Sequence, residues 1–485
     1  MNTKPTVKIA GEKVRIDPQL LFQRLLHVAG GDLAKLADIF RYELTALPSS
    51  LFDDSGFMRE SNKHLLAKHL WEAKFEAALN QEGSMHHVLD GGSLLHHLPW
   101  SKGTSYGHLA DRYVEFVLRS YPHATVVFDG YAHGASTKDM AHAQRRNIPG
   151  RDVLLNHEMP LLEKKEDFLA NSQNKQKFIE LVGEKMKKAK ISVVHAEGDA
   201  DCVIAKEALL SAADHATHVV GEDTDLLVLL LFHVKPDMKN VYFSSSKASV
   251  TRAWDVKKVQ ANVGPDVCKH ILFAHAFSGC DTTSRPFGIG KPATLKSIEE
   301  GDQVFLQGAE VFLDNSTDKE LLDHQDLISQ TGERLLVSLY KGKVTDTLDH
   351  LRLVKYHDKL STGTRQVQPK SLPPTSAAAT QHCYRVYYQV QEWACLGANF
   401  NLNPKQWGFQ EQQGQLLPVP SDLPPAPDEL LKLIKCGCLT DCSSKGRCSC
   451  RGFGLSCTTT CTGCRGVSCL NAMLPLHEED AGARR

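Results

Sequence analysis

Aspartate residues follow a series of short apolar segments in this 485-residue sequence. In two pairs, Asp199/Asp201 and Asp223/Asp225, a single residue separates the members. Residues with that spacing point to one side of an extended chain but to nearly opposite sides of a helix. Each pair therefore converges only at a strand end or a non-helical turn. We expect seven carboxylates to meet in one pocket, namely Asp90, Asp129, Asp199, Asp201, Asp223, Asp225 and Asp281.

The chemistry of such a pocket is that of hard divalent cations. Carboxylates held close together repel each other unless cations neutralise them. Mg²⁺ binds carboxylates while keeping several waters, and two ions about 4 Å apart clamp the attacking and leaving oxygens of a phosphodiester. Two Mg²⁺ or Mn²⁺ ions are therefore the expected cofactor. For any one aspartate taken alone, helix capping is the competing interpretation, because aspartate is a preferred N-cap.

These aspartates require strands that end at the same edge of a sheet. From Met85 onward, short apolar segments alternate with helical patterns: HHVLD precedes GGSLLHHL, ATVVFDG precedes STKDMAHAQRR, and ISVVHAEGDAD precedes CVIAKEALLSAAD. This alternation predicts an α/β fold with a parallel sheet covered on both faces. Sites in such folds form outside the carboxyl ends of the strands. The apolar run LLVLLLF after Asp225 is expected to be a further buried strand.

The order of these motifs resembles that of the flap endonuclease family, the XPG-type branch of the PIN-like nucleases. The motifs are Asp90, FDG at 128–130, DAD at 199–201, EDTD at 222–225, GCD at 279–281 and GIG at 288–290. The resemblance implies a PIN-like parallel-sheet core with a helix–turn–helix, in which all seven aspartates surround two Mg²⁺ ions. Family members usually carry glutamate in the middle pair, where this chain has aspartate, which is one methylene shorter.

Two further elements belong to this resemblance. It implies that Lys138 and Arg145, seven residues apart after FDG, face the scissile phosphate, although an exposed polar helix explains the same residues. It also implies that the segment of Gly288, Gly290 and Lys291 contacts duplex DNA, since glycine lets the backbone approach a phosphate closely. The helical arch of some family members has no recognisable motif here, and residues 140–190 are a candidate for it.

Cysteine is concentrated near the end of the chain. Nine of the 14 cysteines are Cys436, Cys438, Cys442, Cys448, Cys450, Cys457, Cys461, Cys464 and Cys469. Clustered thiolates are typical of zinc sites in a reducing compartment, and a disulfide knot is the alternative. Nine cysteines suit about three Zn²⁺ ions with six terminal and three bridging thiolates. The pattern resembles one half of the CXC domain of tesmin and TSO1-like proteins, which implies DNA binding; contact with protein is the other interpretation.

Composition and patterning divide the chain into six parts. The expected parts are a helical N-terminal region (1–84), a PIN-like core with helix–turn–helix (85–300), a helical extension (301–365), a linker with a short helical segment (366–435), a CXC-like zinc module (436–470) and a tail (471–485). Hydrophobic residues make up 42% and charged residues 23%, as in ordinary globular proteins. The sequence has no apolar window long enough to span a membrane and no secretory signal at its N-terminus.

These features together predict a metal-dependent, structure-selective DNA nuclease of the 5′-flap or branch type. It would be nuclear and tethered to DNA by its zinc–cysteine module, with branched or flapped duplex DNA as its partner. One alternative is a catalytically silent chromatin- or DNA-binding protein that keeps the nuclease fold as a scaffold. A third reading is a PIN-like RNA nuclease. The net charge of −1 means that any basic DNA-binding surface is local.

Overall fold

The secondary structure is defined over most of the chain. The computed structural model describes residues 6–9, 12–15, 17–29, 33–70, 85–130, 136–145, 151–196, 200–245, 252–315, 320–364, 366–398, 400–433, 435–438, 442–443, 448–452, 455–458, 461, 463–467 and 469–472. The strands are β1 (Thr6–Ile9), β2 (Glu12–Arg15), β3 (His86–Asp90), β4 (Ala124–Phe128), β5 (Ser192–His195), β6 (Thr217–Val220), β7 (Val241–Ser245), β8 (Arg252–Asp255), β9 (Phe409–Gln412) and β10 (Gln415–Pro418).

Helices account for most of the remaining described residues. They are α1 (Pro18–Ala29), α2 (Leu33–Ile39), α3 (Lys63–Leu70), α4 (Gly91–His97), α5 (Tyr106–Ser120), α6 (Asp139–Arg145), α7 (Lys165–Ala170), α8 (Ser172–Lys188), α9 (Ala200–Ala212), α10 (Thr224–His233), α11 (Val256–Val263), α12 (Pro265–Phe277), α13 (Lys291–Glu299), α14 (Gln303–Leu313), α15 (Leu321–Leu339), α16 (Leu348–Ser361), α17 (Ser376–Ala394), α18 (Asp428–Leu433) and α19 (Ser449–Gly452). Among the described residues, no helix is both long and apolar enough to cross a bilayer.

A six-stranded sheet organises the middle of the chain, in the order β5-β4-β3-β6-β7-β8. The four pairings among β5, β4, β3, β6 and β7 are parallel, and β8 pairs antiparallel with β7 at the edge. This confirms the expected α/β class with a mostly parallel sheet. The chain passes from β3 to β4 on one side and later returns to β6 on the other. In such sheets, a crevice forms where the strand order reverses, which here lies between β3 and β6.

Successive residues of the central strands face opposite sides of the sheet, as strand geometry requires. Val88 and Val127 face a large core that includes α9, α10 and α12, whereas Leu89 and Val126 face a second core formed with α4, α5 and α8. Both faces of the sheet are therefore covered by helices. This double burial explains why the strands read as nearly continuous apolar runs.

The apolar run after Asp225 forms a helix, so the expectation of a buried strand there was wrong. The run corresponds to α10, and all residues from Leu226 to Leu231 are fully buried. Helix α10 contacts α3, α9, α11 and α12, so helices pack around it on several sides. A helix buried in this way is apolar all round and shows no helical period that would distinguish it from a strand.

The expected linker with a short helical segment (366–435) contains a helix of 19 residues, α17. Helix α17 packs against α12, α14 and α15 and buries both apolar and polar side chains, including the guanidinium of Arg385. The Nη1 atom of Arg385 donates to the carbonyl oxygens of Gly408 (3.1 Å) and Val419 (2.7 Å), so α17 also fixes the chain that follows it. Pro373 and Pro374, just before α17, are buried, so this proline-rich segment is packed into the fold.

The N-terminal region contains the expected helices α1 and α3 and begins with an antiparallel hairpin of β1 and β2. Phe22 and Phe40 pack in a core that also takes in Leu372 and Leu431 from the later part of the chain. The buried Arg352 donates from Nη2 to the carbonyl oxygen of Glu43 (2.7 Å). The two ends of the described chain are thus joined in one packed unit.

Candidate metal centre

Two of the predicted aspartates lie side by side at the carboxyl ends of β3 and β4. Asp90 is the last residue of β3 and caps α4, where its Oδ1 accepts hydrogen bonds from the amides of Gly92 (2.8 Å) and Ser93 (3.1 Å). A Cβ placed on Gly92 would be 3.2 Å from Asp90 Oδ1 and 3.4 Å from Asp129 Oδ2, so both carboxylates border this glycine. Burial, with the nearby charge of Asp129, raises the pKa of Asp90 to about 6.

Three more aspartates meet beside the β6 end of the sheet. Asp201 stands in the first turn of α9, whereas Asp223 caps α10 and accepts a hydrogen bond from the amide of Asp225 (3.1 Å). One carboxylate oxygen from each of Asp201, Asp223 and Asp225 lies within 4.8 Å of the other two, which is a spacing suited to a shared metal ion. Burial and the charge of Asp225 raise the pKa of Asp223.

The loop after α12 adds Asp281. Gly279, in the same GCD motif, has a φ of 101°, and a Cβ there would lie 2.7 Å from the backbone nitrogen of Arg285. Glycine is therefore required for the turn that presents Asp281. Oδ1 of Asp281 lies 3.1 Å from Nζ of Lys63, and the same ammonium contacts Asp223 and Asp225. Asp281 thus faces the β6 group of aspartates.

Lysine side chains partly neutralise these acids. Besides Lys63, Lys138 Nζ lies 3.6 Å from Asp201 Oδ2, and Lys175 Nζ lies 3.5 Å from Asp129 Oδ2. The described residues of the site therefore combine six carboxylates with three ammonium groups. This excess of negative charge, all on oxygen ligands, fits a divalent cation such as Mg²⁺ or Mn²⁺.

A chain of buried hydrogen bonds supports Asp225 from behind. Nε2 of His275 lies 2.8 Å from Asp225 Oδ1, and Nδ1 of His275 lies 2.8 Å from Nζ of Lys291. Burial lowers the pKa of His275 to about 4 and that of Lys291 to about 7, so the imidazole stays neutral. Lys291 donates to Nδ1, which leaves the proton of His275 on Nε2, facing the carboxylate. Burial alone would raise the pKa of Asp225, but Lys63 and His275 hold it well below its usual range.

The structure also shows what surrounds the residues expected to contact DNA. Lys291 is buried, and its ammonium also donates to the carbonyl oxygens of His275 (3.0 Å) and Gly279 (2.6 Å). The Lys291 side chain therefore braces the metal site from inside the protein and does not face a DNA surface. Gly288 is exposed with a φ of 80°, and Gly290 caps α13. Contact of these two glycines with DNA stays a prediction.

Two predicted site residues lie where the structure gives no side chain. Asp199 is outside the described residues, as is the side chain of Arg145, although the backbone of Arg145 ends α6. The candidate arch also takes a different form, because residues 172–188 form α8, whose buried residues include Phe178 and Val182. This part of the suggested arch packs against α5 as an integral layer of the fold.

Three residues of the site were missed by sequence reasoning: Lys63, Lys175 and His275. Lys63 and Lys175 belong to polar, helical stretches in which lysine is unremarkable, so no local signal identifies them. His275 stands in HAFSGCD, six residues before Asp281. Its place in the apolar run ILFAHAF was the available signal, since a buried histidine requires hydrogen-bond partners.

The C-terminal cysteines form a separate cluster. The Sγ atom of Cys457 lies 3.8 Å from that of Cys436 and 3.7 Å from that of Cys448. The Sγ atoms of Cys450 and Cys461 are 3.5 Å apart. These separations are too long for disulfide bonds, whose sulfurs lie about 2.05 Å apart. They are the separations of thiolates that converge on a common centre.

The cysteine Sγ atoms compose three overlapping sets of four, each of which could hold a metal ion. The sets are Cys436/Cys450/Cys457/Cys461, Cys436/Cys442/Cys448/Cys457 and Cys442/Cys457/Cys464/Cys469. Cys457 belongs to all three sets, and Cys436 and Cys442 each belong to two. Cys438 packs against the same cluster. Shared cysteines are the arrangement that a multinuclear thiolate site requires.

Comparison with known proteins gives fold likenesses only. No protein-family model matches the sequence, and no curated protein matches it. Among solved structures, the catalytic core of Rad2 in complex with DNA substrate is 14% identical, with a TM-score of 0.34 and coverage of 70% of this chain and 98% of that chain. A mutant T5 5′-exonuclease is 15% identical, with a TM-score of 0.31 and coverage of 58% and 98%. The Holliday junction-resolving enzyme GEN1, in complex with product DNA and Mg²⁺, is 15% identical, with a TM-score of 0.30 and coverage of 70% and 77%. Likeness at this level carries no weight for function.

Proposed function

We propose that this protein is a metal-dependent, structure-selective DNA nuclease that hydrolyses phosphodiester bonds. The observation that supports this most directly is the convergence of Asp201, Asp223 and Asp225, whose oxygens lie within 4.8 Å of one another. Asp90, Asp129 and Asp281 stand at the same end of the sheet. Charged carboxylates are costly to gather unless they bind cations, so a site of this kind indicates metal-assisted hydrolysis.

The residues around the acids have separate tasks in this proposal. A divalent ion held by these aspartates would activate water and polarise a phosphoryl oxygen. Lys138, whose ammonium lies beside Asp201, is placed to stabilise the negative charge that develops on the phosphate. His275 fixes the orientation of Asp225 through the proton on Nε2. Asp199 and Arg145 complete the set that the flap endonuclease resemblance implies.

Recognition of duplex DNA is assigned to the segment between α12 and α13. Gly288 is exposed there and has a backbone conformation that favours glycine. Backbone amides near Gly288 and at the Gly290 cap would bind a phosphate without reading sequence. This mode of contact suits an enzyme that selects branched or flapped duplexes by shape. Phosphate contacts are common to DNA and RNA, so the preference for DNA over the RNA alternative rests on the resemblance of the GCD and GIG motifs.

The cysteine module is proposed to bind three Zn²⁺ ions and to tether the enzyme to DNA in the nucleus. Thiolate ligands select zinc in tetrahedral sites. Three overlapping sets of four cysteines, with Cys436, Cys442 and Cys457 shared, support three ions. Arg24 of α1 donates from Nη1 to the hydroxyl of Thr458 (3.1 Å), so the module is held against the N-terminal helices.

The test is an incubation of the zinc-loaded protein with labelled flap, hairpin and single-stranded DNA and RNA in Mg²⁺ or Mn²⁺. The variant Asp223→Asn/Asp225→Asn should lose more than the 10–100-fold typical of supporting residues around a metal. Asp302→Asn is the matched control, since Asp302 only caps α14 and asparagine is an equally good cap. It should cleave like the wild type.

Each other outcome has a defined meaning. Equal cleavage by the wild type and the double variant would show that the activity lies elsewhere. Cleavage of RNA alone would support the RNA nuclease. An absence of cleavage on every substrate would contradict the proposed function and favour a DNA-binding scaffold.

A further inference from the structure

The ammonium of Lys63 is surrounded by three carboxylates of the candidate metal centre. Nζ lies 3.0 Å from Asp223 Oδ1, 2.9 Å from Asp225 Oδ2 and 3.1 Å from Asp281 Oδ1. The Lys63 side chain is only 19% exposed, and that of Asp225 is 2% exposed. The side chain of Lys63 is thus largely buried, and its ammonium group lies in an acidic pocket.

The helix that carries Lys63 is anchored in the main core. Leu66 and Leu70, one and two turns along α3, are 1% exposed and pack in the same core as Val88 and Ile298. The neighbouring His69 approaches Glu299 of α13, with Nε2 2.7 Å from Oε1. Burial of these two leucine side chains stabilises this placement through the hydrophobic effect. The position of Lys63 is therefore set by packing as well as by charge.

The chain just before α3 is joined to the loop that carries Asp281. The amide of Arg285 donates to the carbonyl oxygen of Arg59 (2.9 Å), and Nε of Arg285 donates to that of Glu60 (2.9 Å). The amide of Phe287 donates to the carbonyl oxygen of Ser50 (2.8 Å). These backbone links fix the distance between Lys63 and the loop that presents its third partner.

We propose that Lys63 is a built-in second cation of the metal centre, so that the aspartates bind one divalent ion instead of two. This inference rests on the proposed function, because it concerns the same aspartates. An ammonium at 2.9–3.1 Å from three carboxylates uses the oxygens and the space that a second divalent ion would need. It supplies one positive charge permanently, where a second ion would supply two charges only when bound. Lys63 is then a positioning and charge-balancing residue contributed by the region before the sheet.

The experiment counts Mn²⁺ ions bound to the zinc-loaded, full-length protein by calorimetry and by electron paramagnetic resonance. The wild type should bind one Mn²⁺ at the aspartates and give the signal of an isolated ion. Lys63→Met keeps the apolar stem and removes the charge, so it should bind two Mn²⁺ ions and give the signal of a spin-coupled pair. Lys68→Met is the matched control, because Lys68 lies exposed on the same helix; it should bind one.

Three results would overturn this inference. Two Mn²⁺ ions on the wild type would show that the ammonium yields its place, a result that stands even if Lys63→Met fails to fold. One ion on a folded Lys63→Met would show that the lysine does not exclude a second. A second ion on Lys68→Met would make the effect one of overall charge. By contrast, no Mn²⁺ on any of the three proteins would overturn the proposed function itself.

Discussion

Nε2 of His275 lies 2.8 Å from Oδ1 of Asp225, and the two side chains are 0% and 2% exposed. Neither group reaches bulk water, so His275 Nε2 and Asp225 Oδ1 depend on each other for a hydrogen bond. Because Lys291 holds the other ring nitrogen, the imidazole has one orientation and one tautomer available. The carboxylate is therefore presented to a metal ion in a fixed direction, which lowers the cost of ordering it on binding.

The first prediction concerns this pair. His275→Leu should weaken Mn²⁺ binding about 10–100-fold, the usual effect of losing a group that orients a metal ligand. His275→Gln, which restores a donor, should recover part of that loss. His270→Leu is the control, since His270 is buried in the same helix but contacts Glu310. Titration calorimetry measures all three, and equal affinities for His275→Leu and the wild type would rule out the orienting role.

The second prediction concerns the proposed zinc cluster. Elemental analysis should find about three zinc ions per chain in the wild type. Cys457→Ser should lose more zinc than Cys469→Ser, because Cys457 belongs to all three sets of four and Cys469 to one. Equal losses would contradict the shared role of Cys457. One or two zinc ions in the wild type would exclude the three-ion cluster.

The third prediction is a dependence of stability on pH at His218. This buried ring contacts Ser244 Oγ (2.8 Å), and burial, with the neighbouring His87, lowers its pKa to about 3. In the unfolded chain the pKa is about 6.5. Between these two pKa values the unfolded state binds more protons than the folded state. The contribution of neutral His218 to stability is therefore fully present above pH 6.5 and is lost as the pH falls toward 3. Titration of His218 changes the free energy of unfolding by at most about 1.4 kcal/mol per pH unit.

His218→Gln should flatten this slope in denaturant-unfolding experiments between pH 6.5 and 4. His108→Gln is the control, since His108 is exposed on α5, and it should leave the slope unchanged. If His218→Gln retains the slope of the wild type, the protonation of another group causes the loss of stability.

The fourth prediction tests the close packing of α15 on α17. A Cβ on Gly332 would overlap Sγ of Cys383 and approach Phe312 Cζ at 3.4 Å. Gly332→Ala should therefore reduce the free energy of unfolding by about 1–3 kcal/mol, the usual cost of overpacking. Adding Cys383→Ala removes the nearest atom and should recover part of that loss in a double-mutant cycle. Strict additivity of the two changes would show that the helices do not meet there.

Much of the site could be predicted because the neighbouring sequence identifies its aspartates. Asp90 and Asp129 directly follow short apolar segments that are typical of strands. Parallel strands bring their carboxyl ends to one edge of the sheet. Asp223 and Asp225 follow the short strand β6 in the same way. The order of the strands was not needed for this inference, since the shared direction of parallel strands is enough.

The remaining features depend on tertiary packing. Helix α10 has no polar face because other elements surround it, so its sequence lacks the period that identifies a helix. Helix α17 follows prolines that resemble a linker, and only its neighbours show that the segment is interior. Lys63 reaches the acids from a helix 27 residues before Asp90, and no pattern in the sequence specifies that approach.

The anchoring of α3 in the main core bears on where the chain can be divided. A fragment that starts at the first strand of the large sheet would lack Leu66 and Leu70 and would expose apolar side chains of α10 and α13, the helices that α3 contacts. It would also remove the lysine nearest to three of the acids. A division of the chain at residue 85 would therefore separate the aspartates from packing and charge that belong to the same core.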